Sequence, residues 1–283
     1  DGHLKPQGKF DVVGVVGQYR DQFQLYPRLL SDIENLGDIP MSPLNISKEY
    51  TFDLAAWNLE WFGSETNGPV DDAKQFENAS KVLNQMDADV YVLEEITNIT
   101  AFERLVGSLE GYSGDCSPAV SGGGEPTNAQ RICFIYKRET ISLVELRPLL
   151  GGTPLIVDYP DTFERFWASG RLPALFVCDA DIDGVTRRIH IIGIHARANR
   201  NGSAEERKLV YDMRKKDIEV LKDSLDQHFS LAAIIMAGDF NDDVDETVVT
   251  GLTESTYAPF INDPSHWKAL SKELSDMGYK SYI

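Results

Sequence analysis

Four apolar stretches of this sequence end in polar side chains that could bind a hard cation or a phosphate. They finish at Asn58 in AAWNLEW, at Glu95 in YVLEEI, at His195 in IIGIHAR, and at Asp239 and Asn241 in MAGDFND. Mg²⁺ prefers oxygen ligands and keeps several of its waters, so one or two carboxylates are enough to hold it. Glu95 and Asp239 are the carboxylates that could serve here.

The remaining residues of this set suit phosphate chemistry. The amides of Asn58 and Asn241 can donate to phosphate oxygens without adding charge. His195 ends a strongly apolar strand pattern, and imidazole titrates in the range that suits proton transfer near neutral pH. Each residue alone also has a structural explanation: an Asx-turn for Asp-Phe-Asn, a satisfied or surface histidine, and a solvated strand end for a glutamate such as Glu94. Their recurrence at four strand ends favours one shared site.

From residue 51 onward, strand and helix patterns alternate around these residues. Strands are predicted in TFDLAAWNLEWF, DADVYVLEEI, RICFIYKRETISLVELRPL, RLPALFVCDADIDGVTRRIHIIGIHA and LAAIIMAGDF, with a hairpin turn at Asp183 and Gly184. Helices are predicted in VDDAKQFENASKVLNQM, FERLVGSLEGY, EERKLVYDMRKKDIEVLKDSLDQHF and SHWKALSKELSDM, the last with Ser265 as its N-cap. The hairpins favour two mixed sheets with helices outside over a purely parallel sheet.

The first 43 residues have a β pattern of their own. Residues 9–33 alternate apolar and polar residues on both sides of a predicted turn near Arg20 and Asp21. This segment resembles the closing strands of a small OB-type barrel, and a hairpin extension packed on the main domain is an equally good interpretation. Residues 34–50 hold two prolines and a glycine and are typical of a linker. The prediction is therefore a β-rich unit at 1–43 and a main domain at 51–283.

The 283-residue chain is strongly acidic, with 45 acidic and 27 basic residues and a formal charge of -18. Bulk electrostatics therefore do not favour a polyanionic partner, and a phosphate ester substrate would need a local cation at the site. The densest basic run, residues 207–216, has a helical pattern and is predicted to be a solvated face. No apolar run is long enough to cross a bilayer, and the first ten residues lack the apolar segment of a signal peptide.

The cysteines Cys116, Cys133 and Cys178 show no CxxC spacing, and zinc is not expected. Cys133 and Cys178 lie in apolar strand patterns, which favours buried free thiols at both positions. The spacing is compatible with one disulfide but does not identify its partners.

In this order and spacing, WNLEWF, ADVYVLEEI, the strand that ends at His195, and AGDFND resemble the endonuclease/exonuclease/phosphatase superfamily over about residues 51–283. This superfamily includes deoxyribonuclease I-like nucleases and neutral sphingomyelinases. The resemblance implies a four-layer α/β sandwich of two mixed β-sheets flanked by helices, with the site at one edge of the packed sheets. It also implies Mg²⁺ as the cofactor, with Mn²⁺ or Ca²⁺ as substitutes.

The resemblance also implies a role for each matching residue at the strand ends. Glu95 is similar to the family's Mg²⁺ ligand, and Asn58 to the residue that orients the metal or the phosphate. Asp239 resembles the residue that positions or deprotonates the attacking water, and Asn241 resembles the phosphate contact beside it. His195 looks like the histidine of deoxyribonuclease I-like members, which would bind or protonate the phosphate.

Two arginines resemble phosphate contacts of the same subgroup. Arg171 in SGRLPALF matches an arginine of the same strand, where a guanidinium would offset phosphate charge well. A solvent-facing arginine at the start of a strand is the alternative for this residue. Arg131 in NAQRICFIY is a weaker example of the same kind.

The sequence departs from the family after the AGDFND motif. Family members have an Asp-His pair that opens a final apolar strand, and the histidine is central to proton transfer. His266 in NDPSHWKAL superficially resembles that pair, but apolar residues follow it at helical spacing, namely Trp267, Leu270, Leu274 and Met277. A helix start is the favoured interpretation. The site would then lack the acid/base group that this pair supplies.

These features predict a Mg²⁺-dependent phosphodiester hydrolase, with a deoxyribonuclease I-like nuclease that cleaves DNA or RNA as the favoured form. A phosphoesterase for sphingolipid or inositol phosphates ranks second, because the stretches TNGPVDDAKQ and ARANRNGSAE are polar rather than apolar. A binding module that has lost catalysis is the third hypothesis, since the terminal Asp-His pair is not found. A secreted or periplasmic location is expected from the resemblance, and no protein partner is indicated.

Overall fold

The structure, a computed structural model, describes residues 11–12, 15–19, 22–26, 33–34, 46–124, 129–152 and 158–276. The chain divides into two units, one of Asp1–Ile46 with Leu270–Ile283 and the other of Ser47–Ala269. Among its described residues, the first unit has four short strands: β1 (Asp11–Val12), β2 (Val15–Tyr19), β3 (Gln22–Tyr26) and β4 (Ile33–Glu34). Strand β1 pairs antiparallel with β4, and β2 pairs antiparallel with β3.

The interpretation of this N-terminal unit stays a prediction. The turn expected near Arg20 and Asp21 lies outside the described residues, between the paired strands β2 and β3. Most of the expected linker, residues 35–45, also lies outside them, and its end forms a 3-10 turn at Lys48–Tyr50.

The larger unit is built on two four-stranded mixed sheets. The first contains β5 (Leu54–Phe62), β6 (Val90–Ile96), β7 (Tyr112–Cys116) and β8 (Arg131–Lys137), in the order β5-β6-β8-β7. The second contains β9 (Ile141–Pro148), β10 (Ala174–Ile182), β11 (Val185–His195) and β12 (Ile234–Asp239), in the order β12-β11-β10-β9. The pairs β5/β6 and β11/β12 are parallel, and the other pairs are antiparallel.

Helices cover the outer faces of both sheets. They are α1 (Asp72–Met86), α2 (Ile99–Gly107), the short turn α3 (Phe166–Gly170), α4 (Ala204–His228) and α5 (Ala258–Ile261). Short 3-10 turns lie at Ser121–Gly124 and Phe163–Arg165. Helix α6 (Lys272–Asp276) belongs to the stretch assigned to the first unit. Among the described residues, none of the helices combines the length and the apolar composition that a membrane span requires.

Three apolar clusters fill the spaces between these layers. One lies between the first sheet and α1 and α2, and includes Leu83, Leu93 and Phe102. A second joins the two sheets through residues such as Phe134 and Phe176, whose rings stack with centroids 4.7 Å apart. A third lies between the second sheet and α4, and its main members are Trp167, Leu175, Ile192, Ile194, Ile218, Leu221 and Leu225. The four-layer α/β sandwich of two mixed sheets flanked by helices is therefore confirmed.

Side-chain caps define where the long helices begin. Asp71 accepts a hydrogen bond from Lys74 N (2.9 Å) at α1, and Asn98 accepts one from Ala101 N (3.1 Å) at α2. At α4, Ser203 and Glu206 form a reciprocal capping box. Such contacts satisfy N–H groups that have no partner inside the helix, so they fix the first residue of each helix.

Several predicted elements differ from the structure at their ends; the helix predicted in FERLVGSLEGY, for example, is α2 at Ile99–Gly107. Strand β12 begins at Ile234 instead of Leu231, whose side chain is fully exposed. The helix predicted from Ser265 is wrong over its first half, because α6 begins only at Lys272. Asp263 explains this difference: its Oδ1 accepts from Ser265 Oγ (2.9 Å) and contacts His266 Nδ1 (2.8 Å), which closes a turn instead of opening a helix.

The cysteine prediction is half wrong. Cys116 and Cys133 form a disulfide, with Cα atoms 4.0 Å apart. They face each other across β7 and β8, and β7 is a strand that the sequence patterns did not predict. Sequence spacing cannot reveal such a cross-strand pair without the register of both strands. Cys178 is a buried free thiol, as predicted.

Candidate active site

The polar strand ends meet at one edge of the two packed sheets. Asn58 lies on β5 and Glu95 on β6, while His195 and Asp239 end β11 and β12. The Asn58 Nδ2 amide donates to Glu95 Oε1 (2.9 Å) and to Asp239 Oδ2 (2.9 Å), and so bridges the two sheets. Carboxyl ends of neighbouring parallel strands fall at the same sheet edge, which explains why residues so distant in sequence converge.

The imidazole of His195 lies close to both carboxylates of this cluster. Its Nε2 atom lies 3.7 Å from Glu95 Oε1 and 3.5 Å from Asp239 Oδ2. The side chain is almost fully buried, and Nδ1 has no hydrogen-bond partner. Burial and, next, the nearby Arg171 charge hold the pKa of His195 well below its usual range. The imidazole is therefore neutral near pH 7 and offers a hydrogen bond instead of a charge.

A distortion of β5 and β6 aims Glu95 into the cluster. The register of the two strands pairs Asn58 with Glu94 and resumes only at Phe62 and Ile96. Within this irregularity Glu95 has φ 60°, a left-handed value that is uncommon for a side-chain-bearing residue. Its Oε2 accepts from Trp61 N (3.0 Å), so the backbone of the bulge itself holds the carboxylate. Strained backbone of this kind is concentrated at functional sites.

The turn after β12 places Asp239 and Asn241 together. Asn241 N donates to Asp239 Oδ1 (3.0 Å), so the Asx-turn considered from sequence does form. The Asn241 Nδ2 amide also donates to Ala196 O (3.1 Å), which ties this turn to the loop after β11. Gly238 has φ 137°, and a Cβ there would lie 2.0 Å from Ile194 O. Only glycine therefore allows β12 to approach β11 this closely.

Arg171 lies against the backbone of His195 and is only 5% exposed. Its Nε donates to His195 O (3.1 Å) and its Nη2 to Ala196 O (3.3 Å), while Nη1 donates to Gln130 Oε1. The solvent-facing alternative is therefore wrong, because these bonds hold the backbone of the loop after β11. Burial lowers the pKa of Arg171 to about 10, while the charges of Glu95 and Asp239 oppose this shift. The guanidinium stays charged and supports the two carboxylates electrostatically.

The second arginine, Arg131, has a different position. It is half-buried on β8 opposite Ile96, and its Nε has no hydrogen-bond partner. Burial lowers the pKa of this guanidinium. None of its contacts joins it to Glu95 or Asp239 within the part of the chain that the structure describes, so its role as a phosphate contact stays a prediction.

The expectation for Glu94 is wrong, because this carboxyl is buried instead of solvated. Its side chain is 1% exposed, and its Oε1 has no hydrogen-bond partner. Burial and, next, the negative charge of Asp239 raise the pKa of Glu94 well above its usual range. The two glutamates are adjacent in the sequence, and only the strand register decides that Glu94 faces the sheet interior while Glu95 faces the site.

His266, the residue that resembles the family's terminal histidine, is exposed. Its ring contacts Ser265 Oγ (3.1 Å) and Asp263 Oδ1 (2.8 Å), both within its own turn. Asp263 in turn binds Lys222 of α4 at 2.9 Å. This Asp-His pair therefore belongs to the contact between the turn and α4.

The loop that leads to Arg171 is anchored by a buried acid. Trp167, Ala168 and Ser169 have positive φ angles of 43°, 48° and 65°. Trp167 N donates to Asp217 Oδ1 on α4 (3.2 Å), and Asp217 is 1% exposed. Burial raises the pKa of Asp217 to about 7, although Trp167 N, Arg197, Tyr159 and Arg214 each oppose the shift.

This raised pKa predicts a pH-dependent stability. Between about pH 4 and pH 7 the folded protein keeps the Asp217 proton that the unfolded chain has released. The stabilisation is fully present below about pH 4 and is lost as pH rises through about 7, with an upper bound of about 4 kcal/mol. Asp217→Asn should remove this dependence in urea unfolding measured across the window. Asp223→Asn, an exposed position of the same helix, should not, and an unchanged profile in Asp217→Asn would contradict the account.

The cluster fits a hard cation by the chemistry of its donors. Glu95 Oε1 and Asp239 Oδ2 both accept from the same Asn58 amide nitrogen, so the two carboxylates lie close enough together to be ligands of one cation. Within the described ranges, no group of three or more His, Cys, Asp or Glu side chains forms a metal cage. Mg²⁺ does not need one, since it binds through one or two carboxylates and keeps its waters.

The sequence patterns did not identify the residues that hold the loops after β11 and β12 together. Arg214 and Asp242 form an ion pair in which both side chains are fully buried, and Asn199 links Arg214 to Asn241. The basic run 207–216 is helical as predicted, but it is not simply a solvated face. A signal was present in the sequence: Arg214 occupies a position on the stripe of Val210, Asp217 and Ile218, where apolar residues are expected.

Comparison with known proteins gives structural matches only. No family model matches the chain, and no curated protein matches it by sequence. An endonuclease/exonuclease/phosphatase from Bacteroides vulgatus has 11% identity and a TM-score of 0.51, covering 75% of this chain and 71% of its own. The catalytic domain of human Nocturnin with bound sulfate has 14% identity and a TM-score of 0.49 (80% and 76%), and a Bacteroides thetaiotaomicron mannosyl-6-phosphatase has 13% and 0.45 (75% and 71%).

Proposed function

We propose that this chain, which has the fold of the endonuclease/exonuclease/phosphatase superfamily, is a Mg²⁺-dependent phosphodiester hydrolase whose substrate is a nucleic acid. The observation that carries the proposal is the single Asn58 amide that bridges Glu95 and Asp239 across two sheets, with His195 Nε2 facing both carboxylates. Four strand ends that converge in this way are hard to explain by stability alone, because they place like charges side by side.

The two carboxylates would hold the cation, and Mg²⁺, when bound, would supply a Lewis acid that offsets charge on the phosphoryl oxygens. Asp239 would accept a hydrogen bond from the attacking water and orient it. Asn58 keeps both carboxylates at fixed positions through its two N–H groups. The arrangement is preorganised, so little reorganisation is needed as charge develops.

His195 and Asn241 would contact the phosphate itself. Because burial keeps the imidazole neutral, His195 contributes a hydrogen bond to the phosphate without a full charge. The Asn241 amide nitrogen uses one hydrogen for Ala196 O and has a second that can point to a non-bridging oxygen. The buried guanidinium of Arg171 is close enough to Glu95 and Asp239 to contribute positive charge to the site.

One feature supports a nucleic acid over a lipid substrate. The loops that flank the site, at residues 65–68 and 198–203, are exposed and polar, as opposed to an apolar surface that would contact a membrane. The net charge of -18 opposes a polyanionic substrate in bulk, so binding of a nucleic acid would depend on the site itself and its cation instead of on a basic surface. The Cys116–Cys133 disulfide supports a secreted or periplasmic location, because such bonds persist in oxidising compartments.

The test is hydrolysis by the purified chain of a panel of phosphate esters with Mg²⁺ and, separately, with EDTA. The panel contains plasmid DNA, single-stranded RNA, bis(p-nitrophenyl) phosphate, p-nitrophenyl phosphate and sphingomyelin vesicles. We expect Mg²⁺-dependent cleavage of nucleic acid and of the synthetic diester. Cleavage of sphingomyelin or of the monoester alone would instead favour another phosphoesterase, and no cleavage of any ester would favour the binding module.

A further inference from the structure

Two loops at the ends of β11 and β12 carry His195, Asp239 and Asn241 of the candidate active site, and one buried arginine reaches both loops. The first loop runs from His195, the last residue of β11, to Asn199, and the second runs from Asp239, the last residue of β12, to Asp242. Helix α4 lies against them and carries Arg214, whose side chain is 0% exposed. A fully buried guanidinium needs several partners, since it has five N–H donors and no acceptor.

Arg214 binds the first loop directly. Its Nη1 donates to Arg197 O (2.9 Å) and to Asn199 Oδ1 (2.9 Å). Asn199 is exposed and connects Arg214 to the second loop, because its Nδ2 donates to Asn241 O (2.9 Å). The guanidinium therefore reaches the backbone of Asn241 through a single intermediate side chain.

Arg214 reaches the second loop through Asp242. Its Nη2 lies 3.2 Å from Asp242 Oδ2 as an ion pair that is not aligned as a hydrogen bond. The Asp242 carboxylate accepts its hydrogen bonds from groups other than Arg214, namely Thr247 Oγ1 (2.9 Å), Val248 N (2.9 Å), Thr256 N (3.1 Å) and Thr256 Oγ1 (2.8 Å). Arg214 Nε also donates to Thr256 Oγ1 (3.2 Å), which closes the network.

The network ends at the reacting groups. Asn241 N donates to Asp239 Oδ1 (3.0 Å), and Ala196 N donates to Asp239 O (2.9 Å). Any shift of either loop would therefore move Asp239 relative to His195. A buried ion pair gives little net stability, because removing two charges from water offsets most of their attraction. Its value here lies in fixing geometry, since a misplacement of about 1 Å can cost about 10²-fold in rate.

We propose that Arg214 is a positioning residue for the hydrolysis, which acts through Asn199 and Asp242 on Asp239 and Asn241. This inference rests on the proposed function, because it assigns the loops a reaction to support. Arg214 does not touch the substrate or the cation. It fixes the second loop, which orients the water and the phosphate, against the first loop, which holds His195.

The test uses two variants and bis(p-nitrophenyl) phosphate with Mg²⁺. Asn199→Ala removes the exposed intermediate without burying an unpaired charge, and Arg214→Lys keeps the charge but cannot reach all of the acceptors. Both should lower kcat about 10-fold, while KM and the Mg²⁺ affinity from calorimetry stay within about twofold. All rates are measured at a temperature well below the Tm of every variant.

Lys222→Met is the matched control. Lys222 is a buried cation of the same helix, and its partners Asp226 and Asp263 do not join the active-site loops. This variant should lose Tm but keep kcat. Unchanged kcat in Asn199→Ala and Arg214→Lys, a rise in KM alone, or an equal loss of kcat in Lys222→Met would each overturn the inference. If the wild-type chain hydrolyses no diester, the proposed function fails first, and that outcome is seen before any variant is compared.

Discussion

Asp239→Asn should lower kcat for phosphodiester hydrolysis by about 10³-fold and leave the fold unchanged. The amide has the shape of the carboxylate and still accepts from Asn241 N through its oxygen. It cannot carry the negative charge that orients the attacking water and helps to hold the cation. It also presents an N–H group toward either Asn58 Nδ2 or the water, where an acceptor is required.

The measurement is steady-state hydrolysis of bis(p-nitrophenyl) phosphate with Mg²⁺, with circular dichroism to show an unchanged fold. Asp243→Asn is the matched control, since it makes the same change in the same loop, where the carboxylate accepts from Val244 N. It should keep its rate within about twofold. A rate for Asp239→Asn within tenfold of wild type would mean that Asp239 does not orient the water.

Glu95→Gln should abolish Mg²⁺ binding at this site and reduce hydrolysis by about 10³-fold. The change removes the negative charge while keeping the bulge that aims the side chain, because one oxygen can still accept from Trp61 N. Loss of a carboxylate ligand lowers the affinity of a hard cation, which gains most of its binding energy from anionic oxygens. Both effects should therefore appear together.

The adjacent glutamate supplies a demanding control. Burial raises the pKa of Glu94 well above its usual range, which favours the neutral carboxyl, and a neutral carboxyl resembles an amide. Glu94→Gln should therefore leave Mg²⁺ binding and the rate within about threefold of wild type. Calorimetric titration of Mg²⁺ and the hydrolysis assay are run on both variants. Equal losses in the two would show that the structure has assigned the wrong member of this pair to the site.

The strand ends could be predicted from sequence because each apolar run stops at a polar side chain. Asn58, Glu95, His195 and Asp239 all lie where such runs end, and a parallel pairing of β5 with β6 and of β11 with β12 then brings them to one edge. The two mixed sheets with helices outside followed from the same runs together with the hairpin at Asp183 and Gly184, whereas the four-layer sandwich was implied by the resemblance to the superfamily.

What could not be predicted depends on register and on local backbone conformation. The direction of Glu94 and Glu95 is set by a bulge with left-handed residues, which no apolar pattern signals. The Cys116–Cys133 bond depends on pairing between two strands, one of which was not predicted at all. The basic run 207–216 is typical of a solvated face, and only the position of Arg214 on the buried stripe of α4 distinguishes it from the exposed charges of that run.

The proposed hydrolysis depends most on whether Glu95 and Asp239 bind one cation together. Crystals of the chain soaked in Mn²⁺, a substitute for Mg²⁺ with a measurable anomalous signal, test this directly. The account predicts one anomalous peak within bonding distance of the Glu95 carboxylate and beside Asp239, and no such peak in crystals of Glu95→Gln. A peak at another surface, or carboxylates of Glu95 and Asp239 that face different solvent regions, would contradict it.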